Sequence, residues 1–163
     1  MKRQIDNHLD AWRQDHGREV LLLRGARQVG KTYSIGKFAK SFETFLEINF
    51  EENPRLASLF EGSLDPSQLN QKLTAYSGIS LKPGKSLLFF DEIQACPNAI
   101  RALRFYHEKM PELHVIAAGS MLEFALSEIP SFGVGRISSL FLYPLSFREF
   151  LWATDREELD RLL

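Results

Sequence analysis

Three short runs, VLLL (20–23), SLLFF (86–90) and HVIAAG (114–119), are almost without polar residues, and stretches with helical spacing lie between them. A strand with one wet face alternates apolar and polar residues, whereas a strand that is apolar throughout must be covered on both faces. FLEINF (45–50) adds a strand with Leu46, Ile48 and Phe50 on one face, and ISSLFLY (137–143) reads as a fifth. Ile5, Leu9 and Trp12 predict an amphipathic helix over 2–15 that stops before Gly17, and a second helix runs from the end of GARQVGKT to about Lys40. Asp65, Pro66 and Gln68 stand as N-cap, first helical residue and capping-box partner of a helix over 66–77 with an apolar stripe of Leu69, Leu73 and Tyr76. Pro97 to Met110 forms another, burying Leu103, Tyr106 and Met110. Strands of this kind alternating with helices define an α/β protein with a parallel sheet between two helical layers.

The 163 residues suffice for one domain with a sizeable core, and 1–163 reads as a single unit. The formal net charge of −1 gives no support to a broad phosphate-neutralising face, so nucleic acid is not indicated by this domain. One cysteine, Cys96, cannot form an internal disulfide and reads as a small buried residue, which leaves the cytoplasm as the expected compartment. No apolar run reaches membrane-spanning length, and the polar start MKRQIDNHLDAWRQ is unlike a signal peptide. His8, His16, His107 and His114 show no metal-ligand spacing, and Arg101, Arg104 and Glu108 share a solvated helix face with an i,i+4 pair between the last two. Near the end, Ser146 and Glu149 form a capping box, with Leu145 and Phe150 at the staple positions. The chain then stops at REELDRLL without a closing element, as expected of a piece of a longer protein.

Between the first strand and the second helix stands GARQVGKT (25–32), which matches GxxxxGK[ST]. In that pattern, backbone N–H groups wrap phosphate at a helix N-terminus, and Gly25 and Gly30 permit the backbone angles and close approach this needs. The candidate nucleotide site is therefore Gly25, Ala26, Arg27, Gln28, Val29, Gly30, Lys31 and Thr32, with Tyr33 next in line. Lys31 would reach the β- and γ-phosphates, and Thr32 would present its hydroxyl to Mg²⁺. The bland alternative is a glycine-rich turn with a solvated lysine. SLLFFDE places Asp91 and Glu92 at a strand's C-terminal end, where doubly wound sheets bind ligands. Asp91 is the expected second metal partner; Glu92, free of the metal, would orient or deprotonate a water. Read alone, the pair is equally at home in a solvated turn.

Ser120 ends the strand HVIAAGS and would face the γ-phosphate or the water if that strand lies between the other two; it also suits the N-cap of MLEFALSE. In SFGVGRIS, Gly133 and Gly135 flank a turn followed by Arg136, which either stabilises transition-state charge on a neighbouring nucleotide or is a structural arginine. The absence of an NKxD-type guanine motif favours adenine.

Taken together, RQVGKT, FFDEIQ, AAGS and GR…LYPLSFREF resemble the prokaryotic AAA-like ATPases whose nucleotide domain is usually followed by a C-terminal domain of unknown function. The resemblance implies a P-loop NTPase fold, a three-layer α/β/α arrangement whose mainly parallel five-stranded sheet has the order 5-1-4-3-2. It further implies ATP at residues 25–32, Mg²⁺ at Thr32 and Asp91, catalysis at Glu92 and a sensor at Ser120. Such relatives continue into a helical lid and a further domain. The reading is an ATP-binding domain with Mg-dependent hydrolysis to ADP and phosphate, with a homo-oligomer or protein partner possible and no membrane. Two alternatives are a nucleotide-gated interaction module that acts through the surface near Gly133 to Arg136, and a small-molecule kinase, which the adjacent Asp91 and Glu92 and the lack of an acceptor-binding insertion disfavour.

Overall fold

A computed structural model describes residues 1–128 and 136–161. The five strands are β1 (Val20–Arg24), β2 (Thr44–Asn49), β3 (Ser86–Asp91), β4 (His114–Gly119) and β5 (Ile137–Phe141). They pair in the order β2-β3-β4-β1-β5, and every pairing is parallel. The order is the one the family resemblance implies. Strands β3 and β4 are buried along their whole length, as their uniformly apolar sequences require.

Side-chain alternation divides the core in two. Leu21 and Leu23 of β1, Leu87 and Phe89 of β3, and Ile116 and Ala118 of β4 face helices α1 (Gln4–Gln14) and α2 (Lys31–Ala39). Val20, Leu22, Leu88, Phe90 and Val115 face the other way, against α3 (Pro66–Ser77) and α4 (Pro97–Lys109). A 3₁₀ segment over Pro54–Phe60, not anticipated from the sequence, adds Leu56 and Phe60 to this second core. Phe60 meets Phe50 and Phe90 edge-on at centroid distances of 5.4 and 5.5 Å, a favoured aromatic geometry.

Local expectations fare unevenly. In α1, Ile5, Leu9 and Trp12 are buried. In α3, Asp65 caps the helix by accepting the Ser67 N–H at 3.1 Å, but Tyr76 leaves the apolar stripe. It is 54% exposed and its hydroxyl accepts from Asn53. Leu69 and Leu73 already fill the groove there, and a phenol keeps its hydroxyl wet at no cost. Met110 stands just past the end of α4 and is only half-buried. The short α5 (Leu122–Ser127) follows β4, and α6 (Phe147–Ala153) has the Ser146–Glu149 capping box in both directions. Leu145 and Phe150, assigned as its staple, are about half exposed. Beyond α6 a short α7 (Glu157–Asp160) pairs with it through Arg148 and Asp160. Gly133 and Gly135 lie outside the described residues.

His114, at the start of β4, is buried between the edges of Trp12 and Phe42, with ring centroids at 5.6 and 4.9 Å. Burial first, and then the positive charges of Arg18 and Arg13, lower its pKa from 6.5 to about 4, against a weak opposing bond from the Arg13 carbonyl. Between these values the unfolded chain binds a proton that the folded chain refuses. The stabilisation is thus fully present above pH 6.5 and is lost as pH falls towards 4. Thermal unfolding between pH 7 and 4.5 should show a steeper acid loss for the parent than for His114→Phe; parallel curves would assign the acid sensitivity elsewhere.

Candidate phosphate-binding site

Because all five strands run the same way, the C-terminal ends of β1, β3 and β4 open on one edge of the sheet. The loop after β1 leaves Arg24 at Gly25, whose φ is +152°, passes Gln28 at +63° and enters α2 through Gly30 at +94°. A Cβ on Gly25 would lie 2.3 Å from the Leu142 carbonyl oxygen, so the close approach of the two backbones demands glycine. Gly30 is required by its left-handed backbone rather than by crowding. Ala26, Arg27 and Gln28 are exposed, and Arg27 makes a surface pair with Glu51 at 3.1 Å. Tyr33 is exposed, its hydroxyl accepting from the N-terminal ammonium at 3.4 Å.

Lys31 is buried and donates to the carbonyl oxygens of Gly25 and Ala26 at 2.9 and 2.8 Å. Burial lowers its pKa, and the nearby carboxylates of Glu92 and Asp91 oppose that shift while Arg27 adds to it. Thr32 Oγ1 donates to Asp91 Oδ2 at 2.7 Å, joining the helix that follows β1 to the end of β3, with β4 between the two strands in the sheet. Asp91 is buried and its pKa is raised, first by desolvation and also by Glu92, although the Thr32 hydroxyl and the Glu92 N–H pull it down.

Glu92 has left-handed backbone (φ +48°), unusual for a residue with a Cβ, and begins a 3₁₀ turn over Ile93–Ala95. Its Oε2 accepts from Gln94 Nε2 at 2.5 Å and from Ser120 Oγ at 3.4 Å. Ser120 therefore turns towards Glu92, and α5 begins after Met121 without a side-chain cap, so the N-cap alternative for Ser120 is not the arrangement found. Gln94 is a member of this group that sequence reasoning missed, although it stands in the quoted FFDEIQ. A Cβ on Gly119 would lie 2.2 Å from Gln94 Oε1, so that glycine gives Gln94 its place.

Arg136 is not in this group. Its carbonyl accepts the Val20 N–H at the N-terminal end of β1, and its guanidinium pairs with Glu108 of α4 at 2.9 Å. It stands at the sheet edge opposite the phosphate loop, so it does not reach the loop of its own chain.

The loop and its partners fit a nucleotide with a divalent cation. The glycines leave room that side chains would fill, the helix N-terminus of α2 supplies N–H donors, and Thr32 with Asp91 offers two oxygens. Mg²⁺ needs few protein ligands because it keeps much of its water, and among the described residues no larger group of His, Cys, Asp and Glu converges.

These features define a P-loop NTPase domain with a parallel sheet of order 2-3-4-1-5. Residues 17–151 match the model of a family described as AAA domain, and the chain belongs to that family. It is 28% identical to an uncharacterized protein of Methanocaldococcus jannaschii over 99% of its own length and 33% of the relative's, so it spans about a third of that curated relative. Among solved structures it is similar to a Walker-type ATPase of Pyrococcus abyssi (TM-score 0.61, 18% identity, 99% of this chain and 59% of that one). It is also similar to the Orc1 protein of Aeropyrum pernix, solved in complex with DNA (TM-score 0.54, 13% identity, 96% and 50%). At these identities the likeness is one of fold. Among the described residues no helix is long and apolar enough to cross a membrane.

Gly25→Ala should lower stability by about 1–3 kcal/mol, since a backbone carbonyl would have to give way. Gly36→Ala within α2, where nothing lies within 4 Å of an added Cβ, should be neutral or stabilising by up to about 1 kcal/mol. Urea unfolding of the two variants checks the contrast; equal effects would remove the steric argument.

Proposed function

We propose that this domain binds ATP at residues 25–33 and hydrolyses it with Mg²⁺ to ADP and phosphate. The observation that carries the reading is the 2.7 Å bond from Thr32 to Asp91, with Glu92 beside it, because it brings the end of the phosphate loop and the acidic strand end to one point. The family and the fold support nucleotide binding.

Lys31 already lies along the loop, and its ammonium would exchange the Gly25 and Ala26 carbonyls for phosphate oxygens. The loop N–H groups and the N-terminus of α2 would hold the remaining charge. Mg²⁺ held by Thr32 and Asp91 would neutralise charge on the β- and γ-phosphate oxygens. Glu92 would accept a proton from water as the water oxygen bonds to the γ-phosphorus and the bond to the β–γ bridging oxygen breaks, releasing ADP and inorganic phosphate. Ser120 and Gln94, both bonded to one oxygen of Glu92, leave the other for that water. Ser120 would serve as the sensor of the γ-phosphate. Arg136 can act only on a neighbouring subunit's nucleotide, which makes a homo-oligomer the setting for any catalytic role it has.

Titration of the purified protein with ATP and GTP, with and without Mg²⁺, followed by phosphate release, tests the whole reading. Preferential Mg-ATP binding is expected. Lys31→Ala should reduce affinity at least tenfold, while Glu92→Gln should retain binding and lose turnover by roughly 10²-fold or more. Parental turnover in Glu92→Gln would remove its assigned role. Binding without phosphate release would favour the nucleotide-gated interaction module, although the Gly133–Gly135 part of its proposed surface lies outside the described residues.

A further inference from the structure

Arg3 is buried, only 4% exposed, and lies 26 residues before the loop position it touches. Its Nε pairs with Glu149 Oε1 of α6 at 2.9 Å, its Nη2 donates to the Tyr143 carbonyl at 2.9 Å, and its Nη1 donates to the Val29 carbonyl at 3.2 Å. One planar guanidinium thus ties the N-terminus of α1, the segment between β5 and α6, and the phosphate loop. Glu149 is itself fixed, accepting the Gln4 N–H on Oε1 and the Ser146 N–H on Oε2, both at 2.9 Å. Burial alone would raise its pKa, but these two N–H groups and Arg3 outweigh it and hold the carboxylate below its ordinary range.

The Val29–Gly30 peptide joins the loop to Gly30, the N-cap of α2. In a trans peptide the C=O and the N–H point in opposite directions, so a donor that fixes the Val29 carbonyl also fixes where the Gly30 N–H points. Lys31, held by the Gly25 and Ala26 carbonyls, marks the inner side of the loop, while Arg3 approaches from α1. We propose that Arg3, anchored by Glu149, is a positioning residue of the phosphate loop that aims the Gly30 N–H at bound phosphate. The proposal rests on the ATP-binding reading above and adds two residues that lie outside both GARQVGKT and the Asp91–Glu92 strand end, Glu149 standing within PLSFREF. Lysine cannot replace the arginine in this role, because an ammonium on a flexible stem lacks the fork that reaches three acceptors in fixed directions.

The test compares parent, Arg3→Lys and Glu149→Gln by thermal unfolding, by Mg-ATP affinity at a temperature where all three are folded, and by the ¹⁵N resonance of the Gly30 amide without nucleotide. That resonance responds to the hydrogen bond on the preceding carbonyl. Arg3→Lys should weaken Mg-ATP binding at least tenfold and move the Gly30 resonance while core amides stay in place. Glu149→Gln, which keeps the shape of the anchor, should do the same to a smaller degree, and it carries the test alone if Arg3→Lys does not fold. A lower thermal midpoint with parental affinity and an unmoved Gly30 resonance would mean that the pair is merely structural and would overturn the proposal. A parent protein that binds no ATP would instead overturn the function reading, and the proposal with it.

Discussion

The parallel sense of every strand pair is the constraint from which the rest follows. Parallel strands need crossover connections, and among the described residues α2, α3 and α4 lie in such connections and cover the two sheet faces. The same sense gathers all strand C-termini on one edge. Gly25, Asp91 and Ser120 come from separate regions of the chain, yet each directly follows or ends a buried strand on that edge. A rigid apolar sheet thereby delivers polar groups to one place without any of them contributing to the core. Gly119 and Gly25 set the tolerance, each excluding a Cβ that would strike a neighbour.

Electrostatics at that edge is a balance among few groups. Burial disfavours both the Lys31 ammonium and the Asp91 carboxylate, and each is partly rescued by what lies beside it. Charged groups held dry interact more strongly with an arriving ion than they would in water, because there is less solvent to screen them. Arg27, on the exposed arm of the loop, has no such leverage, and its pairing with Glu51 is of the surface kind that contributes little. Exposed aromatics are concentrated near the same edge, where Phe141 and Tyr143 stack at 6.4 Å and Phe147 and Phe150 at 6.5 Å.

The legible part of the sequence was the part governed by local rules. The apolar runs disclosed the buried strands, and the glycine spacing disclosed the loop, because both are set by what a few consecutive residues can do. Asp91 and Glu92 were legible for the same reason. Strand order was not legible from periodicity, which is blind to neighbours, and came from the family resemblance. The Arg3–Glu149 pair joins residues 146 positions apart, so no window reveals it, and Arg3 looked like one more basic residue in a polar N-terminus. Gln94 was overlooked since its importance lies in where a 3₁₀ turn sends its amide. The place of Arg136 beside Val20 and Glu108, away from the loop of its own chain, was not legible either, because motif spacing does not tell which residues a side chain will meet.

At Glu92 the backbone conformation and the side chain it carries are at odds. A left-handed residue with a Cβ costs on the order of 1 kcal/mol or more, and glycine or asparagine would relieve it. A process that rewarded stability alone would therefore replace this glutamate, and its neighbours Ser120 and Gln94 would lose the partner they now share. The strained peptide is thus a mark that separates two pressures on one position: under the role proposed for Glu92, libraries of this domain sorted for thermal endurance and libraries sorted for nucleotide turnover would part company at residue 92.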